Sequence, residues 1–376
     1  MMKSLMSFIV VILFLAAAPA SSQTQWFKYE GNPVLDVGPS GTWDRQHVGI
    51  NRVIRFQDTL KMWYSGSDNT YFRMGYATST DDGITWTKHP NPVLDKDPGS
   101  WESYWVYVAY VVHSDSTYRM WYTGYNQSNW CVGYAHSPDG IAWTKRADPV
   151  VAIGPATWDA IGVEYPSIVG PDSLGGFRMW YQGVPSTNRA QIGYATATNE
   201  TTWTKVDYIN PVLLLGNSGA WEDNRVETPR VLYNGRFYEM WYGGTRTNNA
   251  FFSQIGYATS PDGLVWTKSL DNPVVQPGPT GTWDRSGVLP GDILLEGNIY
   301  SMWYDGYDGS RLRSGYAVSP KGMVVSVSPQ SPSTGDTVWV VARADSPAGL
   351  SFSAEIEYPD GNVIALIELF DDGVHG

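Results

Sequence analysis

Tyr238-Glu239-Met240-Trp241-Tyr242-Gly243-Gly244 decides how this chain is read, because its centre is not unique. Met-Trp-Tyr-x-Gly also occurs at Met62–Gly66, Met120–Gly124, Met179–Gly183 and Met302–Gly306, and the five Trp (63, 121, 180, 241, 303) stand 58, 59, 61 and 62 apart. Gly-Tyr-Ala follows each copy, at Gly75, Gly133, Gly193, Gly256 and Gly315. Trp-Thr-Lys follows four of them, at Trp86, Trp143, Trp203 and Trp266. Trp-Asp or Trp-Glu precedes all five, at Trp43, Trp101, Trp158, Trp221 and Trp283. Five such units of about 60 residues are an internal repeat.

Within a unit, Val226–Leu232, Arg236–Tyr242, Ser253–Thr259 and Val265–Lys268 read as short strands separated by Gly, Asn and Asp turns. No segment shows a 3.6-residue apolar period. Four-stranded antiparallel units repeated about an axis are β-propeller blades. The expected fold is all-β, a five-bladed β-propeller over residues 23–322. The fifth unit lacks its Trp-Thr-Lys. Trp26-Phe27-Lys28, six residues before Asn32-Pro33-Val34-Leu35, matches Trp266-Thr267-Lys268 before Asn272-Pro273-Val274-Val275. The N-terminal strand is therefore expected to complete the last blade and close the ring, leaving no open edge.

Composition agrees with a β-rich body. The 376 residues include 18 Trp, 24 Tyr and 11 Phe with only 16% charged residues, which excludes disorder and helical bundles. The net charge of −12 and the lack of any Lys/Arg cluster exclude nucleic acid as a partner. Fifteen of the 18 Trp belong to the repeated positions and read as packing between blades. Trp339 lies beyond the repeats, and Trp105 and Trp130 are off-register in the second unit beside Tyr104, Tyr107 and Tyr125. That patch occurs once and has the character of a sugar-stacking surface.

Residues 1–22 carry Lys3, an apolar run from Leu5 to Ala17 broken by Ser7, and a small-residue exit, the parts of a secretory signal. The run is too short to span a membrane, so the expectation is a secreted protein with no membrane span. The single cysteine, Cys131, reads as a small buried hydrophobe. Residues 323–376 break the repeat and offer four strands, Val324–Ser328, Thr337–Ala344, Leu350–Tyr358 and Val363–Phe370. They read as the start of an immunoglobulin-like sandwich, which needs about seven strands. The expectation is a fragment of a longer secreted protein.

A residue present in every unit is expected to be structural, since one site needs its chemistry once. That applies to the acids after Trp (Asp44, Glu102, Asp159, Glu222, Asp284), expected to bond turn amides. It applies to the Asp-box-like turns Ser79–Trp86, Ser137–Gly140 and Ser260–Gly263, with Asp accepting amides and Gly supplying positive φ. Function should lie where units differ. Fourteen residues before each motif Trp stand Gly49, Tyr107, Glu227 and Leu289, with Glu164 matching after a two-residue insertion in the Pro171–Gly176 turn. Three residues on are Arg52, Tyr110, Ser167, Arg230 and Asp292. Innermost strands face the axis, so these positions ring one end of a central pocket. Glu164 and Glu227 fall on adjacent units, and a carboxylate in an apolar strand is costly unless paired or functional. Pairing of Glu227 with Arg225 or Arg52 is the structural alternative.

The blade pattern of Tyr-x-Met-Trp-Tyr-x-Gly, Ile-Gly-Tyr-Ala-Thr-Ser, Asp-Gly-x-x-Trp-x-Lys and Asn-Pro-Val-Leu resembles the five-bladed glycoside hydrolase superfamily of families 43, 62, 32, 68 and 130, over about residues 24–322. Glu227-Thr228-Pro229 is similar to the family 43 Glu-x-Pro acid, and Glu227-Thr228-Pro229-Arg230 to the family 130 Glu-Asp-Pro-Arg, whose catalytic Asp falls on Thr228. Glu164 matches the family 43 second acid, while Val48-Gly49-Ile50-Asn51-Arg52-Val53 has none where the family keeps a base Asp. The resemblance implies glycosidic cleavage by two carboxyl groups. Glu227 is the expected acid, with its pKa raised by burial near Glu164; the base is either Asp44 or Asp292. Arg230, Arg52, Asn51, Tyr107, Trp105 and Trp130 are the candidate substrate-binding residues, and an oligosaccharide or polysaccharide is the expected partner. The alternatives are a non-catalytic sugar-binding propeller and a protein-interaction ring. His47, His89, His113, His136 and His375 lack ligand spacing, so neither metal nor other cofactor is expected, and a monomer is favoured.

Overall fold

The computed structural model of the protein describes residues 25–320 except 156, 173 and 174, together with segments 324–328, 339–343, 352–357 and 363–369. The signal assigned to residues 1–22 lies outside the described residues. Apart from two three-residue 3-10 turns, Thr157–Asp159 and Ala250–Phe252, the described structure is strands and turns.

The strands fall into antiparallel four-stranded sets that follow the repeat, the second and third joined into one sheet by a parallel pairing of Gly162 with Trp130. The first unit holds β2 (His47–Phe56), β3 (Thr59–Ser67), β4 (Phe72–Ser79) and β5 (Thr87–Lys88). The second holds β6 (Trp105–Ser114), β7 (Thr117–Tyr125), β8 (Trp130–Ser137) and β9 (Thr144–Lys145). The third holds β10 (Gly162–Val169), β11 (Phe177–Val184), β12 (Gln191–Ala197) and β13 (Trp203–Lys205). The fourth holds β14 (Arg225–Tyr233), β15 (Tyr238–Thr245), β16 (Gln254–Ser260) and β17 (Thr267–Lys268). The fifth holds β18 (Gly287–Glu296), β19 (Ile299–Tyr307) and β20 (Leu312–Pro320), and its fourth strand is β1 (Phe27–Lys28). Phe27 pairs with Val318 and Lys28 with Ala317, as the matching of Trp26-Phe27-Lys28 to the later Trp-Thr-Lys segments implies. The innermost strands touch in the order β2, β6, β10, β14, β18 and back to β2. This is a β-propeller-like arrangement.

The repeated residues hold neighbouring units together. All five motif Trp are essentially buried. Trp63 Nε1 donates to Gly140 O (2.8 Å), Trp121 Nε1 to Glu200 O (2.8 Å), Trp180 Nε1 to Gly263 O (2.8 Å) and Trp303 Nε1 to Gly83 O (3.2 Å), each bridging to the Asp-box-like turn of the next unit. The same carbonyls accept a second indole from Trp86, Trp143, Trp203 and Trp266. Within those turns Asp139 Oδ1 accepts Ile141 N and Ala142 N (both 2.8 Å), and the turn glycines adopt φ near 80° at Gly83, Gly140 and Gly263. The equivalent turn shortens the fourth strand to Thr267–Lys268 rather than Val265–Lys268: Asp262 Oδ1 takes the amides of Leu264 and Val265 and removes them from the ladder. A Cβ at Gly183 would come within 2.0 Å of the Trp158 ring, so the motif glycine is what lets the Trp preceding the acid lie flat on the sheet.

The acids after those Trp do not bond turn amides as expected. Each pairs with the Lys of an outermost strand: Asp44 with Lys88 (2.7 Å), Glu102 with Lys145 (2.8 Å), Asp159 with Lys205, Glu222 with Lys268 and Asp284 with Lys28 (all 2.6 Å). The side chains reach past the turn because buried carboxylates are better satisfied by an ammonium. In the C-terminal segment β21 (Val324–Ser328) pairs with β22 (Trp339–Arg343), and β23 (Phe352–Glu357) with β24 (Val363–Leu369).

Candidate functional site

The innermost strand of every unit carries a bulge, and its register reproduces the alignment read from sequence. Before the bulge Gly49 pairs with Ser65, Tyr107 with Thr123, Glu164 with Gln182, Glu227 with Gly243 and Leu289 with Asp305. After it Arg52, Tyr110, Ser167, Arg230 and Asp292 each pair with the motif Trp. The residue following the first position lies in the left-handed region at Ile50 (φ 48°), Tyr165 (φ 49°) and Thr228 (φ 46°). For β-branched Ile50 and Thr228 this is strained and needs outside support. The support is a hydrogen bond from the bulge amide to the preceding unit. Ile50 N donates to Asp305 Oδ2 (2.7 Å), Tyr165 N to Thr123 Oγ1 (3.0 Å) and Thr228 N to Gln182 Oε1 (3.1 Å). Where the accepting position is Gly243, with no side chain, the bulge residue of the next unit is Pro290, with no N–H. Donor and acceptor are lost together.

Sequence reasoning missed those accepting residues. Thr123, Gln182 and Asp305 all stand at the variable x of Met-Trp-Tyr-x-Gly, which is Ser65 and Gly243 in the other two units. The signal was available, since x is the one position that differs inside an otherwise invariant motif. Asp305 also fills the place left by Gly49, because a Cβ on Gly49 would come within 2.9 Å of Asp305 Oδ1 and 2.7 Å of Leu312 Cδ2. A carboxyl thus stands on the first unit's side of the axis, supplied by the fifth.

Glu164 and Glu227 lie on adjacent inner strands and are almost wholly buried. Glu164 Oε2 accepts the Tyr107 hydroxyl (3.2 Å) and Oε1 accepts Gln182 Nε2 (3.3 Å). Burial pushes its carboxyl up to about 7, against the opposing Arg225 charge and the Tyr107 hydrogen bond. Glu227 Oε2 accepts Arg225 Nε (2.8 Å) and Oε1 accepts Ser253 Oγ (2.6 Å). The Glu227 partner is therefore Arg225, not Arg52. Glu164 is the carboxyl raised to about 7; its hydrogen-bond donors are neutral, while Glu227 is paired with the guanidinium. Burial also pushes Asp305 up to about 7, although Ile50 N–H and Arg230 act to lower it. Burial pushes the Tyr165 hydroxyl well above its ordinary range, and the Glu164, Glu227 and Asp305 carboxyls act in the same direction. The Tyr165 ring stacks on Tyr107 at 5.5 Å.

The other sequence candidates have structural partners. Asp44 belongs to the repeated Lys–acid set and also accepts Thr42 Oγ1 and the Tyr64 hydroxyl. Asp292 is paired with Arg52 (2.6 Å) and accepts Val53 N (2.8 Å). Asn51 is fully buried; its Nδ2 donates to Trp303 O (3.1 Å) and its Oδ1 accepts Asp292 N (3.0 Å). Arg52 also donates to Val111 O and lies 4.2 Å over the Tyr110 ring. Trp130 stacks on Tyr125 at 4.2 Å, Trp105 packs on the other side of Tyr125 at 5.1 Å, and Trp130 bridges to Gly162 of the third unit. Their rings are spent largely on each other. Cys131 is buried, as read from sequence. Among the described residues no group of three or more His, Cys, Asp or Glu is placed to hold a metal ion, and no helix is long and apolar enough to cross a membrane.

No known protein family matches the chain by sequence. Over 228 residues it is 26% identical to an uncharacterized protein of Mycobacterium tuberculosis, found in strains CDC 1551 and H37Rv, covering 56% of this chain and 72% of that protein. Solved structures with a similar fold include a glycosyl hydrolase from Bacteroides ovatus (18% identity, TM-score 0.62, 80% of this chain and 95% of that one). Another is the β-1,2-mannobiose phosphorylase from Listeria innocua (14% identity, TM-score 0.62, 79% and 97%). A third is described in work on the GH130 family of mannoside phosphorylases (17% identity, TM-score 0.62, 80% and 95%). At these identities the likeness is one of fold.

Proposed function

We propose that this chain is a secreted, carbohydrate-active five-bladed propeller, closed by β1, that cleaves a glycosidic bond at the axial end where Glu164, Glu227 and Asp305 meet. The observation that carries this is the pair of buried carboxyls on adjacent inner strands, one raised to about 7 and the other ion-paired to Arg225. Glu164 is then able to hold a proton near neutral pH and suited to donate it to a leaving oxygen, while Glu227 faces the Arg225 guanidinium. This reverses the role first expected of Glu227. Asp305 supplies the acid missing at Gly49. Entry of a sugar ring requires side chains around the carboxyls to move, since Glu227 has 0% exposure and Glu164 6%. Residues 323–376 would be an appended immunoglobulin-like segment.

A second reading is a sugar-binding propeller without turnover. It is favoured by the same burial and by the engagement of both Glu227 oxygens. The test is incubation of the protein with arabinan, xylan, mannan and fructan oligosaccharides, following product release and binding in parallel. Product release supports cleavage. Saturable binding with no product supports the second reading, and no binding to any sugar sinks both.

A further inference from the structure

The position two residues after Met-Trp-Tyr-x-Gly is Asp68, Asn126, Pro185, Arg246 and Asp308 in the five units. Where it is Asp or Asn it caps its own loop. Asp68 Oδ1 accepts Thr70 N and Tyr71 N, Asn126 Oδ1 accepts Ser128 N and Asn129 N, and Asp308 Oδ1 accepts Ser310 N and Arg311 N. An arginine has no acceptor and cannot do this. The fourth loop is held instead by Thr245 Oγ1, which takes Thr247 N (3.1 Å), and by Asn249 Oδ1, which takes Phe251 N (3.0 Å). Arg246 is thus released from the structural task of its position, and it is exposed.

With the exposed Arg189 it lines a pocket of about 530 Å³, walled also by Thr187, Ser218, Asp223 and Asn248. That volume suits a small ligand or a sugar unit. Arg189 Nη2 donates to Asp223 O (2.8 Å), and Asp223 Oδ2 accepts Gly219 N (2.7 Å). Among the described residues neither arginine stands in an ion pair. Two guanidiniums against one carboxylate make the pocket positive on a chain whose net charge is −12. The pocket also adjoins the acids of the axial end. Asn188, between Thr187 and Arg189, is held by Arg225 Nη1, and Arg225 Nε donates to Glu227.

We propose that this pocket is a subsite for the carboxylate of an acidic sugar, so that the glycan taken by the chain carries uronate units. The guanidinium fork matches a planar carboxylate, and the hydroxyls of Thr187 and Ser218 and the Asn248 amide suit ring hydroxyls. The inference rests on the carbohydrate-active reading and names the substrate class for it.

The experiment is calorimetric titration of the whole chain with oligomers of galacturonate, glucuronate and mannuronate, with their methyl esters, and with neutral arabinan, xylan, mannan and fructan oligomers. At least one uronate series should bind about tenfold or more tighter than its ester and than any neutral oligomer, and weaken as salt rises. Arg246→Met and Arg189→Met should each remove most of that preference. Equal binding of acid and ester, a preference that survives both substitutions, or tighter binding of a neutral oligomer overturns the inference and leaves the carbohydrate-active reading standing. Binding of no sugar, charged or neutral, overturns both. Uronate binding without product supports the subsite and removes only cleavage. The ester comparison uses the wild type, so it decides even where a variant fails to fold.

Discussion

Arg225 Nε lies 2.8 Å from Glu227 Oε2, two residues along the same strand, while its Nη1 holds Asn188 O at 2.7 Å and Asn188 Oδ1 at 2.6 Å. Arg225 therefore fixes a buried carboxylate and a loop of the neighbouring unit at once. Removing it strands a charge with no solvent. Arg225→Met is expected to destabilise the protein by about 3–5 kcal/mol in urea unfolding, and Arg225→Met/Glu227→Gln by clearly less. A double variant no more stable than Arg225→Met would show that the pair is not the reason.

Acidity should act in an unusual direction. Glu164 and Asp305 have folded pKa values raised to about 7, above the ordinary carboxylate range. Both are bound to protons in the folded state through a window where the unfolded chain has lost them. Their contribution is complete below about pH 4 and falls as pH rises towards 7, by on the order of 3 kcal/mol each. Urea midpoints between pH 4.5 and 8 should decline with pH, and Glu164→Gln should flatten the decline. An unchanged slope in that variant would remove Glu164 as its source.

The repeated Lys–acid pairs give a stability prediction with a built-in control. Asp159 is nearly buried, and Lys205 reaches it at 2.6 Å. Lys205→Met is expected to cost about 2–3 kcal/mol. Arg55→Met, which breaks an exposed pair with Glu296, should cost less than about 1 kcal/mol. Equal costs would mean that burial does not set the difference.

β1 is short, but its neighbours are not trivial. Trp26 meets Trp241 edge-on at 6.1 Å, and Lys28 covers Asp284 at 2.6 Å. Deleting residues 23–30 should expose the edge of β20 and abolish cooperative unfolding by differential scanning calorimetry. A deletion variant with a single sharp transition near the wild-type Tm would show that β1 is dispensable.

The repeat made the strands legible, because Met-Trp-Tyr-x-Gly fixes register and its Trp spacing fixes unit length. The inner-strand alignment, including the insertion before Phe177, emerged for the same reason. The partners of single residues did not. Asp44 looked free to lean inward because sequence does not show that Lys88, in the outermost strand of the same unit, reaches it. That burial raises Glu164 was not legible because the donors that reach it, Tyr107 and Gln182, come from other strands, while Arg225 donates its Nε to Glu227. Asp305 was hidden by treating Met-Trp-Tyr-x-Gly as purely structural, although its x carries the only side chain that differs from unit to unit.

The central claim is that Glu164 and Glu227 perform chemistry together. Its most direct test is the turnover of a glycan substrate by the wild type, Glu164→Gln and Glu227→Gln, with binding measured on the same samples. Turnover should fall by about 10²–10⁴-fold in each variant while binding and fold persist. Turnover that is unchanged in both variants, or a wild type that binds sugar and releases no product, contradicts the account.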